Sequence, residues 1–201
     1  MLVAGIKSRP VYGGLNVDIH ARRHLFALEG EGALALLDQL KAVGMDVLKT
    51  ADILYVASGS KAEDHDRTLA ALGADSFWLA PTIPVLLNRF HVMLGQAHMG
   101  TCIYVAGTEG FIGQAQQAAM NHGVDPASVH SEHRGSAARR VQCVHCKGIT
   151  DNVTTSPYTC SACGLSLLVR DHYSRRLGAF QGVCIDAEEP GTAPKPEELF
   201  P

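Results

Sequence analysis

The sequence predicts an α/β protein in two parts: a mostly parallel sheet covered by helices, followed by a small β-rich metal ribbon. Three observations predict it. Between about residues 24 and 135, short apolar runs alternate with segments whose apolar residues recur at helical spacing. Strands alternating with helices call for a parallel sheet with both faces covered, because each crossover lays a helix on the sheet. The alternation stops near Gly135, and beyond it stand two close cysteine pairs, Cys143-x-x-Cys146 and Cys160-x-x-Cys163.

Residues 1–23, with Arg9-Pro10 and Gly13-Gly14, read as an N-terminal arm rather than a core element. His24-Leu25-Phe26-Ala27-Leu28 is a strand, followed by Gly30 and Gly32 and by a helix that ends at Gly44. Asp52-Ile53-Leu54-Tyr55-Val56-Ala57 is a second strand, leading to a helix from about Asp64 to Leu72 that Gly73 stops. Ser76-Phe77-Trp78-Leu79 is a third strand, with a helix from about Pro84 to Gln96 behind it. Thr101-Cys102-Ile103-Tyr104-Val105-Ala106 is apolar on both faces, which suits a central strand. Gly107-Thr108-Glu109-Gly110 turns into a helix through Met120, Gly123 closes it, and Ser128-Val129-His130-Ser131 is the last strand. The α/β domain is therefore placed at 24–135. Ser136-Ala137-Ala138-Arg139-Arg140 reads as a linker opening the cysteine module, 136–186, and the Pro- and Glu-rich residues 187–201 read as a disordered tail.

The 201 residues suffice for one such domain and a small module. A net charge of -3 argues against a dedicated nucleic-acid binder, which usually carries a basic excess. No apolar run reaches the roughly 20 residues of a membrane span, and the N-terminus turns polar at Lys7, too soon for a signal peptide. Four of the six cysteines lie in tight pairs, which suits metal binding in a reducing compartment better than a disulfide framework. A cytoplasmic protein with neither membrane nor nucleic acid as partner is expected.

The cysteine pairs are the firmest functional signal. Each pair places two sulfurs on one side of a tight turn, and two facing turns close a tetrahedron around Cys143, Cys146, Cys160 and Cys163. A glycine follows each pair, Gly164 directly and Gly148 one residue later, where a small residue lets backbone N–H groups approach the thiolates. A closed site of four thiolates suits structural Zn2+. The same ligands hold a redox-active iron in rubredoxins, and softness does not separate the two. His145 reads as solvent-facing. Cys102 and Cys184, with no partner at ligand spacing, read as small apolar residues.

Residues 24–135 resemble the pyridine-nucleotide domain of ferredoxin reductase-type flavoenzymes. The resemblance rests on His24-Leu25-Phe26-Ala27 with Gly30-x-Gly32, on Ile103 to Phe111, and on Val129-His130-Ser131-Glu132. The domain departs from that pattern in ways that mark it as degenerate. Glu29 and Glu31 sit in the loop that would receive a pyrophosphate, at about 1 kcal/mol or more of repulsion apiece. Leu34-Ala35 replaces the usual Thr-Pro, and Ala106 stands where the family has a cysteine facing the nicotinamide. Glu109 already complements the dipole of the helix that follows Gly107. A fold retired from nucleotide binding and kept as a docking scaffold is expected, with neither a catalytic nor a cofactor-binding residue assigned in it.

Past the ribbon, Val169-Arg170-Asp171-His172-Tyr173-Ser174-Arg175-Arg176 is dense in Arg and Tyr, the residue types that dominate interface hot spots. Together with the Lys7-Ser8-Arg9-Pro10-Val11-Tyr12 arm, the defective reductase-like domain and the paired cysteines, this segment resembles the DmmA subunits of bacterial dimethylamine monooxygenases. The resemblance implies a multi-subunit, NADPH- and O2-dependent system that converts dimethylamine to methylamine and formaldehyde. Haem, FMN and a [2Fe–2S] centre are then expected only on partner subunits, a haem oxygenase subunit and a flavin/iron–sulfur reductase subunit. This chain would be the non-catalytic piece that docks them. A rubredoxin-like electron carrier is the alternative.

Overall fold

Leu25, Phe26, Ala27 and Leu28 are all buried because β1 (Arg23–Glu29) is the middle strand of a five-stranded parallel sheet. It pairs with β2 (Ala51–Val56) on one side and β4 (Thr101–Gly107) on the other. Outside these lie β3 (Ser76–Ala80), against β2, and β5 (Val129–His133), against β4. The order β3-β2-β1-β4-β5 is that of the first five strands of the doubly wound nucleotide-binding fold. The expected central strand, β4, is thus interior but one place off centre. The computed structural model describes residues 8–58 and 65–201. They fall into two compact units, 12–135 and 136–201, the latter including the arm up to Val11.

The period of two along each strand feeds two separate cores. Phe26, Leu28, Tyr104 and Ala106 pack with Leu36 and Leu40 of α1 (Gly32–Val43) and Leu69 of α2 (Asp66–Ala71). Leu25, Ala27, Ile103 and Val105 pack with Leu86, Phe90 and Leu94 of α3 (Ile83–Gln96) and with Phe111, Ile112 and Ala115 of α4 (Glu109–Asn121). Thr82 caps α3, its hydroxyl accepting from Val85 N–H, and Thr108 caps α4 in the same way through Phe111 N–H. The expected α2 start at Asp64 lies outside the described residues. Among the described residues no helix is long and apolar enough to cross a membrane.

The arm differs from expectation. Gly14 N–H bonds the Ser131 carbonyl at the free edge of β5, and Leu15 and Val17 are buried in the α1-side core. The arm thereby covers an edge and supplies apolar volume, which its Gly-rich sequence conceals.

The described part of the second unit is all strand and turn. Its main sheet has the order β7-β6-β11-β10-β9, from β6 (Arg139–Cys143), β7 (Ile149–Val153), β9 (Tyr158–Thr159), β10 (Ser166–Ser174) and β11 (Ala179–Cys184). The core gathers Val141, Leu167, Val169, Tyr173 and Phe180 around the buried Cys143 and Cys160. Two expectations are corrected here. Arg139 and Arg140 belong to β6 rather than to a linker. The tail is not free either, because β12 (Glu197–Glu198) pairs with β8 (Thr155–Ser156) and Phe200 is buried. The buried Phe200 ring and the Leu199 and Phe200 N–H groups, both bonded to the Thr154 carbonyl, hold this segment.

Candidate metal centre and the closed crevice of the α/β unit

The four ribbon cysteines sit in two turns of one design. The first lies between β6 and β7, the second between β9 and β10, both antiparallel pairs. In each, the first cysteine's N–H bonds a carbonyl five residues on (Gly148, Leu165), and its carbonyl accepts from the N–H four residues on (Lys147, Gly164). The position after each second cysteine is left-handed, φ 65° at Lys147 and 75° at Gly164. Lys147 therefore occupies the conformation expected of a glycine. Gly148 serves differently: its N–H reaches Cys146 Sγ at 3.4 Å, and a Cβ there would lie 2.7 Å from that of Ala162.

The four Sγ atoms lie within 4.8 Å of one another, with Cys143–Cys163 at 3.9 Å and Cys146–Cys160 at 3.7 Å. A tetrahedron of Zn–S bonds of about 2.3 Å has edges of about 3.8 Å, so the sulfurs are positioned to bind a metal ion of that size. Burial opposes the Cys160 thiolate, but N–H groups of Cys163 and Ala162 outweigh it and bring its pKa down to about 7. The Leu165 N–H favours the Cys163 thiolate, yet burial and the three neighbouring sulfurs push that thiol up to about 12. Four thiolates this close do not ionise together without a cation among them. His145 is exposed, as expected, and Cys102 and Cys184 are half-buried and outside the four-sulfur group.

The segment after the ribbon is only partly a surface. Arg170 and His172 are exposed, but Asp171 forms a buried ion pair with Arg139 at 2.7 Å. The Arg139 guanidinium also lies 4.1 Å from the ring centres of Phe180 and Phe200. A β-bulge between Arg170 and Tyr173 turns Asp171 inward. Ser8 bridges it, its hydroxyl donating to the Asp171 carbonyl and accepting from Tyr173 N–H. Arg139 and Ser8, passed over in the linker and the arm, thus hold this segment's shape.

In the α/β unit the crevice outside the carboxyl ends of β1 and β4 is where this topology places a ligand. Here it holds a side chain of the protein. Glu29, 5% exposed, accepts from Thr108 N–H (2.9 Å), Thr108 Oγ1 (2.6 Å) and Ser58 Oγ (2.6 Å). A Cβ on Gly107 would lie 2.7 Å from Glu29 Cβ, so the carboxylate reaches the α4 N-terminus only across a glycine. Tyr12 adds a second cover, bonding Glu109 at 3.0 Å and stacking on His133. Glu31 is half-buried beside the α1 start. Gly32 packs so tightly that a Cβ would overlap the Ala106 carbonyl. Thr108 and Ser58 were not singled out from sequence. Only the Thr-Glu pair at a helix start hinted at the first.

Residues 4–129 match the family described as dimethylamine monooxygenase subunit DmmA-like, N-terminal domain, and residues 140–183 match its C-terminal domain. A curated relative, the heme-dependent oxidative N-demethylase delta subunit of Ectopseudomonas mendocina (strain ymp), is 31% identical over 142 residues, covering 68% of this chain and 81% of the relative. Among solved structures, an intact type IV self-sufficient cytochrome P450 monooxygenase is similar over 85% of this chain at 19% identity and a TM-score of 0.45. The flavohem-like FAD/NAD binding domain of nitric oxide dioxygenase from Vibrio cholerae O1 biovar El Tor is similar over 59% at 18% identity and a TM-score of 0.41. The matched regions span 27% and 53% of those two chains. The two matched domains and the relative place this chain in the family of DmmA-like dimethylamine monooxygenase subunits.

Proposed function

We propose that this protein is a non-catalytic subunit of a multi-component, NADPH- and O2-dependent dimethylamine monooxygenase, cytoplasmic, and that it holds the reductase and haem subunits together. The observation that carries this reading is the Glu29 carboxylate seated on Thr108 and Ser58. A nucleotide phosphate would need those donors, and a buried anion already uses them. Hydride transfer then belongs to partners, as do haem, FMN and the [2Fe–2S] centre. The family and the N-demethylase relative support a place in such a complex.

Zn2+ in the four-cysteine site would act structurally, closing the two ribbon turns on each other. Isothermal titration of the chain with NADPH and with FMN tests the scaffold role; micromolar binding of either would sink it. Metal analysis and a visible spectrum of protein from iron-supplied cells test the ion. A colourless, zinc-loaded chain is expected, whereas a red, iron-loaded one would favour an electron carrier of rubredoxin type.

A further inference from the structure

The first unit has a second concave site, at the end of the sheet opposite the closed crevice. It is a cleft of about 650 Å3 at the amino ends of the strands, bordered by Arg23, Asp52, Ser76 and Thr101. Cofactor crevices of this fold lie at the carboxyl ends, so this cleft belongs to something else. We infer that it docks an acidic segment of a partner polypeptide, with carboxylates against Arg22 and Arg89 and an apolar side chain against Met93 and Met99.

The charges favour that occupant. Arg23 is committed, bonding Asp52 at 2.6 and 2.8 Å and Asp75 at 3.0 Å, while Ser76 completes the shell of Asp52. Asp52 is buried, and Arg23, shared with Asp75, leaves that group one negative charge, which the two further guanidiniums of Arg22 and Arg89 outweigh. Arg22 and Arg89 are exposed, and neither has an ion-pair partner among the described residues. Two uncommitted guanidiniums in one cleft stand out on a chain of net charge -3. They suit carboxylates, which arginine binds in bidentate fashion.

The cleft is also built. Gly100, at φ 92°, brings its Cα so close to the Arg22 stem that a Cβ would meet Arg22 Cδ at 3.0 Å. The Arg22 N–H bonds the Gly100 carbonyl at 2.9 Å, which holds the stem against that turn. Arg89, Met93 and Gln96 follow a face of α3 that flanks its buried Leu86, Phe90 and Leu94, and Met93 packs in part against that core. Met99 at the rim is 96% exposed, and an unbranched, adaptable thioether is typical of surfaces that accept a partner's side chain. This inference deepens the docking role proposed above by naming a contact.

The test uses the full chain and a short fluorescein-labelled peptide alternating Glu with Leu, read by anisotropy at low and high salt. Salt-sensitive binding is expected, weakened about tenfold or more in the Arg22→Ala/Arg89→Ala double variant, equivalent to ~1.4 kcal/mol. Lys41→Ala, an exposed charge elsewhere, is expected to change nothing. No binding at low salt, unchanged binding by the double variant, or equal affinity for free citrate would each overturn the inference. Co-purification separates it from the docking role. If the wild-type chain captures the haem and reductase subunits and the double variant does so equally, the cleft is not the contact and only this inference falls. If the wild-type chain captures neither subunit, the docking role falls, and the peptide titration still judges the cleft.

Discussion

At the scale of single residues, the Glu29 carboxylate satisfies two donors of Thr108 at the start of α4 and the Ser58 hydroxyl beyond β2. Glu29→Leu is expected to cost about 1–3 kcal/mol, because buried N–H and O–H groups lose their acceptor. A urea midpoint that falls without a change of slope would record it. His24 makes a different point. It is 1% exposed on β1, stacked against Phe26 and Tyr104, and its Nδ1 has no hydrogen-bond partner. Burial lowers its pKa below the ordinary 6.5, with Asp18 opposing the shift. Between the folded and unfolded values only the unfolded chain takes up the proton, so stability falls as pH drops below about 6.5. His24→Asn is expected to flatten that slope, seen as a smaller Tm difference between about pH 7 and pH 5.5. An equal slope in the variant would assign the acid sensitivity elsewhere.

At the scale of elements, the bulge in β10 shows how two sequence motifs serve one shape. Ser8 replaces ladder bonds that the bulge forfeits, and Asp171 turns inward to Arg139. The magnitudes of two ion pairs separate sharply here. Asp171→Ala leaves the Arg139 charge buried at 4% exposure and is expected to cost about 3–5 kcal/mol. Asp151→Ala breaks the pair with Arg140, whose aspartate is 55% exposed, and is expected to cost about 0–1 kcal/mol. Chemical denaturation of both variants, followed through the β signal of the ribbon, checks the ordering. Equal losses would mean that Asp171 is not the counter-ion of Arg139. Deleting the chain from Glu197 onward removes β12 and the Phe200 ring over Arg139, and is expected to destabilise the same unit by about 1.5–3 kcal/mol.

At the scale of the whole molecule, secondary structure divides between the two units. All the described α-helices, α1 to α4, lie within 12–135, and the described part of the other unit is strand and turn. A metal held by the four cysteines would supply much of the stability of a β core this small. Chelation, or Cys146→Ser or Cys163→Ser, is therefore expected to unfold the ribbon while the helical circular dichroism persists. Loss of helix and ribbon in one transition would mean that the units stabilise each other. Unchanged metal content in either serine variant would contradict the ligand assignment. Acid is expected to weaken metal retention, since each thiolate ligand must give up its proton to bind.

The sequence by itself determined the elements whose signals are local. The short apolar run Leu25–Leu28, the helical spacing before Gly44 and the cysteine spacing are all patterns within a few residues, and a strand, a helix and a group of four sulfurs stand at those places. It also flagged Glu29 as hostile to a phosphate. Only the tertiary structure decided that the carboxylate is seated on Thr108 and Ser58, because Thr108 lies 79 residues away on another strand end. The same holds for Arg139 beside Asp171, Ser8 across the bulge and the tail's Phe200 against Arg139. A polar or charged residue carries no periodic signature of its partner, so its burial follows from the fold and not from its neighbours in sequence.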